Sequence, residues 1–261
     1  MLRSLYTAAT GMDAQQLRMD VIANNLSNAS TTGFKKGRAE FEDLFSETLK
    51  RAGVADPRGG GDPTPLQVGL GVHTGSTSRS FAQGDLTNTQ NPLDVAIQGN
   101  GFFRVQRVTG EIAYTRAGNF RVDATGRLVT PHGEIVDPGI TVPAEATAIT
   151  IAQDGTVSAT VPGSTVPSTL GQLSLATFPN PAGLESIGNN LFSPTVASGD
   201  EQQVKPGDPG MGTLAQGSLE NANVQVAEEM IDMITTQRAY ELNSKIVQTA
   251  DQMLQRLTTI R

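Results

Sequence analysis

The chain has no cysteine and no tryptophan, only 5% aromatic residues and only two histidines among 261 positions. Lack of cysteine excludes disulfide staples and thiolate chemistry, and fits a protein that works outside a reducing compartment without needing oxidation. His73 and His132 stand alone, with no Cys or Glu-x-x-His spacing around them, so neither metal nor cofactor binding is expected. No apolar run approaches membrane-spanning length, so no direct membrane insertion is expected. Arg3, Asp13, Arg18 and Asp20 interrupt any hydrophobic leader core; if the protein leaves the cytoplasm, it is expected to do so without a Sec-type cleaved signal. Basic clustering is equally scarce. The net charge is −7 and Lys35-Lys36 is the densest cationic spot, which argues against nucleic acid as a partner.

What is present is 37% apolar residues, enough for a core, and heavy punctuation by 28 Gly and 14 Pro. Length allows one to two domains. Leu2, Leu5, Ala9, Met12, Gln16, Met19, Ala23 and Leu26 alternate steps of three and four, the seam spacing of a coiled coil. The Asn-rich run from Asn24 to Asn28 is expected to fray that helix, with a turn at Gly33. A second short helix is expected from about Lys36 to Lys50, with Ala39, Phe41, Leu44, Phe45, Thr48 and Leu49 along one side.

Residues 51–64, RAGVADPRGGGDPT, suit neither helix nor strand and read by composition as a flexible linker. From about residue 66 to 217 the period falls to two. Hairpins are expected at Gly99-Asn100-Gly101, between Asp94–Ile97 and Phe102–Val105, and at Thr125-Gly126, between Phe120–Asp123 and Arg127–Val129. A third is expected at Asp154-Gly155, between Ile149–Ile151 and Val157–Ala159, and Leu173–Phe178 reads as a further strand. This predicts an antiparallel barrel or sandwich.

After Gly217 the helical period returns, with Asn221 or Asn223 as cap and Glu228-Glu229 suiting the helix dipole. Val226, Met230, Met233, Gln237, Tyr240, Ser244, Val247, Asp251 and Leu254 form one stripe; Leu242, Ile246, Thr249, Met253, Leu257 and Ile260 form a second. Two stripes on one helix imply more than one neighbour. The terminal helices could form a hairpin packed on the β-region, but their polar seam positions favour register-specific self-assembly. The fold class is therefore α+β, discontinuous coiled-coil terminal helices flanking a central antiparallel β barrel or sandwich. Residues 1–35 with 219–261 read as a helical assembly domain. Residues 36–93 with 180–218 read as connecting segments that include an insertion at 46–66, and 94–179 as the β-domain. No paired carboxylates or nucleophile–base set stands out, Gly59-Gly60-Gly61 lacks the Lys-Ser/Thr of a phosphate loop, and Asn28-Ala29-Ser30 reads as helix-end capping rather than a glycan site. A secreted hydrolase is the competing class, and the expectation is a protein that is not an enzyme.

The residues then become specific. ANNLSNASTTGFKKGRAEFEDL (Ala23 to Leu44) resembles the N-terminal signature of flagellar rod and hook proteins, and the segment from Leu219 to Thr258 resembles their C-terminal signature. DVAIQGNGFFRV (Asp94 to Val105) and YTRAGNFRVDATGRLVT (Tyr114 to Thr130) are similar to the shared β-domain of that family, and GLESIGNNLF (Gly183 to Phe192) also occurs in its hook and proximal-rod members. The resemblance covers nearly the whole chain. It implies a homo-oligomeric helical filament, a hollow distal-rod drive shaft of the bacterial flagellar basal body that spans the periplasm and carries torque and exported subunits. A proximal rod or hook subunit is the alternative, and the stretch from Ser46 to Leu66 is what favours the distal rod. Implied partners are proximal rod proteins, hook protein, P-ring and L-ring proteins, a rod cap or peptidoglycan hydrolase, and the flagellar type III export apparatus. Implied subunit-packing residues are Leu2, Leu5, Met12, Met19, Leu26, Val226, Met230, Met233, Ile234, Tyr240, Val247, Leu254 and Leu257. Leu49, Val54, Pro57, Pro63, Pro65 and Leu66 are the candidate stiffening residues of the insertion.

Overall fold

The 3–4 spacing at the N-terminus produces a 26-residue helix, α1 (Leu2–Ser27), and the one at the C-terminus a 34-residue helix, α2 (Val226–Thr259), in a computed structural model that describes residues 2–50, 64–162 and 166–259. Contacts divide the chain into two units. One comprises residues 1–26, 37–78 and 226–261, and the other residues 27–36 and 79–225.

In the first unit, α1 and α2 lie side by side and antiparallel. Residue pairs Gly11–Asn243, Arg18–Asp232 and Asn25–Glu229 meet, numbers rising along one helix as they fall along the other. Gly11 costs helix propensity, but a β-carbon there would lie 2.9 Å from the Asn243 Nδ2. The glycine leaves room for the Asn243 side chain.

Residues 36–50 are not helical. Gly37–Asp43 is a strand paired with Val72–Arg79, and Ser46–Lys50 is a strand paired antiparallel with Leu66–Gly69, Thr48 opposite Gln67. The spacing of Phe41, Leu44 and Phe45 fits a helix face, but Ala39 falls on the opposite side of such a helix, and Gly37–Asp43 alternates with period two. Ala39 and Phe41 are half-buried while Arg38, Glu40 and Glu42 face out. A partner strand satisfies the backbone, and Ser78 Oγ donates to Glu40 across the pair at 2.8 Å, so the β-period wins over helix propensity. The strands Ser46–Lys50 and Leu66–Gly69 are exposed at every position.

The second unit is antiparallel throughout its assigned ladders. Its main sheet runs, in spatial order, Glu185–Gly188, Leu191–Ser193, Ile112–Thr115, Phe102–Gln106, Ile135–Val136, Leu128–Val129 and Arg121–Val122. Leu175–Thr177 joins the N-terminal half of Phe102–Gln106 and also pairs with Gln202–Val204. Among the described residues no sheet closes on itself, so the expected barrel is absent. The central strand forks its second edge between Leu175–Thr177 and Ile135–Val136, and that branch opens the sheet instead of closing it.

Phe102 and Phe103 explain why the sheet is covered on both faces. Successive side chains point oppositely. Phe103 packs with Val95, Ile97, Phe120, Leu173 and Leu214, while Phe102 joins Tyr114, Phe178 and Phe192. The second group stacks edge to face, with Phe102 and Phe192 centroids 6.1 Å apart and Tyr114 and Phe178 at 4.8 Å. Such pairs add about 0.5–1.5 kcal/mol each beyond area burial.

Of the expected hairpins, those at Asp123–Arg127 and Asp154–Thr156 are present. Leu128 lies opposite Val122, and Ile151 opposite Val157. The one at Gly99–Gly101 is not. Val95–Gln98 pairs with Thr213–Gln216, and Phe102–Gln106 pairs with Ile112–Thr115. Gly99 and Gly101 have φ of +111° and +131°; that turn carries the chain from one ladder to another. Leu173–Phe178 shortens to the strand Leu175–Thr177.

Candidate assembly surface

A 34-residue helix can bury only part of its circumference against one neighbour, so the face left over is informative. On α2, Glu229, Thr236 and Ala250 are buried, Asn243 is half-buried between the last two, and Met233, Val247 and Leu254 beside them are half-buried. On α1, Ala8 and Ile22 are buried, Gln15 is half-buried between them, and Leu5, Met12, Met19 and Leu26 flank them half-buried. The intrachain face is thus rotated by one position from the seams read by spacing. The Leu5–Met12–Met19–Leu26 and Met233–Val247–Leu254 lines belong to its flank, but Ala9, Gln16 and Ala23 are exposed, as are Met230, Gln237 and Asp251.

The buried residues mix Ala8, Ala14, Ile22 and Ala250 with the polar Asn25, Glu229 and Thr236, and leucine is absent among them. Asn25 is 3% exposed. Its Oδ1 accepts the Gly37 N–H at 2.8 Å, and its Nδ2 donates to the Gly37 carbonyl at 2.9 Å and to Glu229 at 3.2 Å. Thr236 Oγ donates to the Asp232 carbonyl at 2.7 Å. The buried Gln15 Oε1 has no hydrogen-bond partner among the described residues.

Other apolar side chains of α2 point elsewhere. Val226, Met230 and Ile234, spaced by four, are about half exposed, as are Ile231, Leu242, Ile246 and Met253; Tyr240 is 36% exposed. Leu49 and Leu66, on the exposed strand pair, are 52% and 56% exposed; Pro65 is exposed as well, and Phe45 is 94% exposed. Val54, Pro57 and Pro63 lie outside the described residues, as do the side chains of Leu2 and Leu257.

Sequence reasoning missed a buried cluster in the second unit. Lys35 and Glu220 side chains are fully buried and Arg116 is 4% exposed. Lys35 Nζ donates to Glu220 Oε1 at 2.6 Å and to the Ala82 carbonyl at 2.7 Å. Arg116 donates from Nε to Glu220 Oε2 at 2.9 Å and to the Gly99 and Gly101 carbonyls at 2.9 and 2.6 Å. The Gly84 N–H completes the carboxylate shell at 2.9 Å. Burial pulls the Lys35 ammonium below its ordinary pKa, against the Glu220 contact that supports it. Next to this cluster, Asn223 accepts the Lys36 N–H and donates to the Ser80 and Ala82 carbonyls, while Asn221 donates to Thr87. Both asparagines are committed here and do not cap α2, which begins at Val226. Charge in the motif of residues 23–44 was the one available signal, and it could not say which lysine is buried.

Comparison with known proteins assigns this arrangement. The family model described as flagella basal body rod protein matches residues 5–35, the flagellar hook protein FlgE/F/G D1 domain matches 96–159, and the flagellar basal body rod FlgEFG protein C-terminal matches 215–260. The chain is 50% identical over 260 residues to a flagellar basal-body rod protein FlgG of Buchnera aphidicola, and 49% identical over 261 residues to that of Caulobacter vibrioides, in each case across 100% of both chains. A flagellar hook-basal body complex protein FlhP of Bacillus subtilis is 35% identical over 277 residues, again across 100% of both. With all three segments matched, and relatives aligned from end to end, the chain belongs to the flagellar rod and hook protein family, as a structural subunit of the flagellar basal-body rod.

Proposed function

We propose that this subunit builds the distal part of the rod by self-assembly through α1 and α2. Copies pack their helices side by side in layers around a central channel, with the β-region outside. The product is a rigid hollow shaft that spans the periplasm, transmits torque from motor to hook and conducts exported subunits. Proximal rod proteins and hook protein adjoin it along the axis. P-ring and L-ring proteins surround it, a rod cap or peptidoglycan hydrolase leads it, and the flagellar type III apparatus exports it uncleaved. The stretch from Ser46 to Leu66 stiffens the assembly.

The observation that carries this reading is the stripe Val226–Met230–Ile234 on α2, apolar yet about half exposed, outside the intrachain face on which Glu229, Thr236 and Ala250 are buried. An ordinary two-helix hairpin turns its apolar stripe inward. Here apolar surface is left for other helices, and burying the exposed half of each side chain would contribute about 1 kcal/mol, roughly half the value for a fully exposed one. Negative-stain microscopy of purified chain with Met230→Asp or Ile234→Asp tests it. Loss of filaments with unchanged helical circular dichroism is expected; filaments indistinguishable from the parent's overturn the assignment of this stripe.

A further inference from the structure

Asn100-Gly101 is the only Asn-Gly step in the chain. Three features bear on its chemistry. Asn100 is exposed, and among the described residues no hydrogen bond ties its carboxamide or the Gly101 N–H. The Asn100 carbonyl accepts the Gly212 N–H at 2.9 Å, which polarises the Asn100–Gly101 peptide and acidifies the Gly101 N–H. Glycine at 101 is required by the fold: φ is +131°, and a β-carbon would sit 3.2 Å from Leu175 Cδ1. The fold therefore forces a residue without a β-carbon, the least hindered nucleophile, directly after an exposed asparagine.

We propose that Asn100 is a site of spontaneous backbone-assisted deamidation, by which the subunit ages into a form with a loosened Arg116. The Gly101 nitrogen, having lost its proton to hydroxide, attacks the Asn100 side-chain carbonyl carbon. A C–N bond forms, the carboxamide nitrogen leaves as ammonia, and a five-membered succinimide results. Water then opens the ring at either carbonyl, giving aspartate or isoaspartate. The net change is addition of water and loss of ammonia, with no oxidant or reductant. Isoaspartate reroutes the main chain through the former β-carbon, between Gly99 and Gly101, whose carbonyls hold the Arg116 guanidinium. The turn that fixes Arg116 against Glu220 thus lengthens by one carbon.

The test is incubation of the folded full chain at 37 °C in mildly alkaline and in mildly acidic buffer, followed by peptide mass spectrometry. The expected result is a mass gain of about 1 Da confined first to the peptide bearing Asn100, faster in alkali, with isoaspartyl methyltransferase labelling of the same peptide. Asn100→Gln, which must close a larger ring, should lose both signals while melting like the parent, and aged parent should melt below fresh parent. An Asn100 peptide that stays intact while other asparagines deamidate overturns the proposal, as does deamidation at Asn100 only after thermal unfolding. Deamidation that leaves the melting temperature unchanged overturns the claim that Arg116 is loosened.

Discussion

Lys35 Nζ lies 2.6 Å from Glu220 Oε1, both side chains without solvent exposure and 185 residues apart in sequence. Lys35 follows α1 in the chain and Glu220 precedes α2, so the pair closes a loop of nearly the whole β-region. With Arg116 as the second cation, one carboxylate compensates two buried positive charges.

That imbalance orders the consequences of substitution. Glu220→Gln strands two buried cations and is expected to cost about 3–5 kcal/mol. Lys35→Met leaves the Arg116–Glu220 pair neutral, and the Ala82 carbonyl keeps the Asn223 donor at 3.0 Å, so its cost should stay near 1–2 kcal/mol. Urea denaturation followed by Tyr fluorescence and circular dichroism measures both. Equal losses would contradict the charge argument.

Asn25 and Gln15 predict changes of opposite sign on the same helix. Asn25→Ala removes three hydrogen bonds at Gly37 and Glu229 and should destabilise by about 2–3 kcal/mol. Gln15→Met replaces a buried acceptor that lacks a partner with an apolar side chain of similar size and should stabilise by about 1 kcal/mol. Hydrogen exchange of the α1 and α2 amides reports each.

The hairpin at Asp123 carries a pH dependence. The Thr125 hydroxyl and the Arg127 backbone N–H hold the Asp123 carboxylate down to a pKa of about 2, from an ordinary 3.8. The unfolded chain binds the proton first as pH falls, so the stabilisation is complete above about 3.8 and is lost on approach to about 2. Asp123→Asn should flatten the stability profile in that window only, as read by urea unfolding at stepped pH. A parallel profile for the variant would contradict the assignment.

Deletion of residues 51–64 should leave a chain that still polymerises, because α1 and α2 are untouched, but into filaments more curved or flexible than the parent's. The flanking strands already pair, Thr48 opposite Gln67, and once Lys50 and Leu66 separate, residues 49, 50, 65 and 66 supply a four-residue turn between them. Filaments as straight as the parent's in electron micrographs would remove the stiffening role from this stretch.

What was legible in the sequence was what is local. The hairpin at Asp123–Arg127 could be read because a single carboxylate satisfies turn N–H groups within four residues. The two helices could be read because 3–4 spacing persists over many turns. Residues 37–50 were ambiguous, since Phe41, Leu44, Phe45 and Thr48 have helical spacing while Ala39 and Phe41 have period two, and only the distant strand Val72–Arg79 decides between them. The crossing at Gly99–Gly101 was misread because a glycine turn signals reversal without naming which strand is the partner. Lys35 with Glu220 and Asn25 with Glu229 could not be read at all: each is buried by residues about two hundred positions away. The 3–4 spacing located the two helices but not the face that each turns inward within the chain, where Ala8, Gln15 and Ile22 are more buried than Ala9, Gln16 and Ala23.

Those leftover faces carry the account, and a cryo-EM map of filaments grown from the purified chain tests them most directly. The prediction is that Val226, Met230 and Ile234 are enclosed by helices of neighbouring copies, while Asn25 and Glu229 remain paired within each copy. A filament in which that stripe still faces solvent, or is joined only through the β-region, would contradict it.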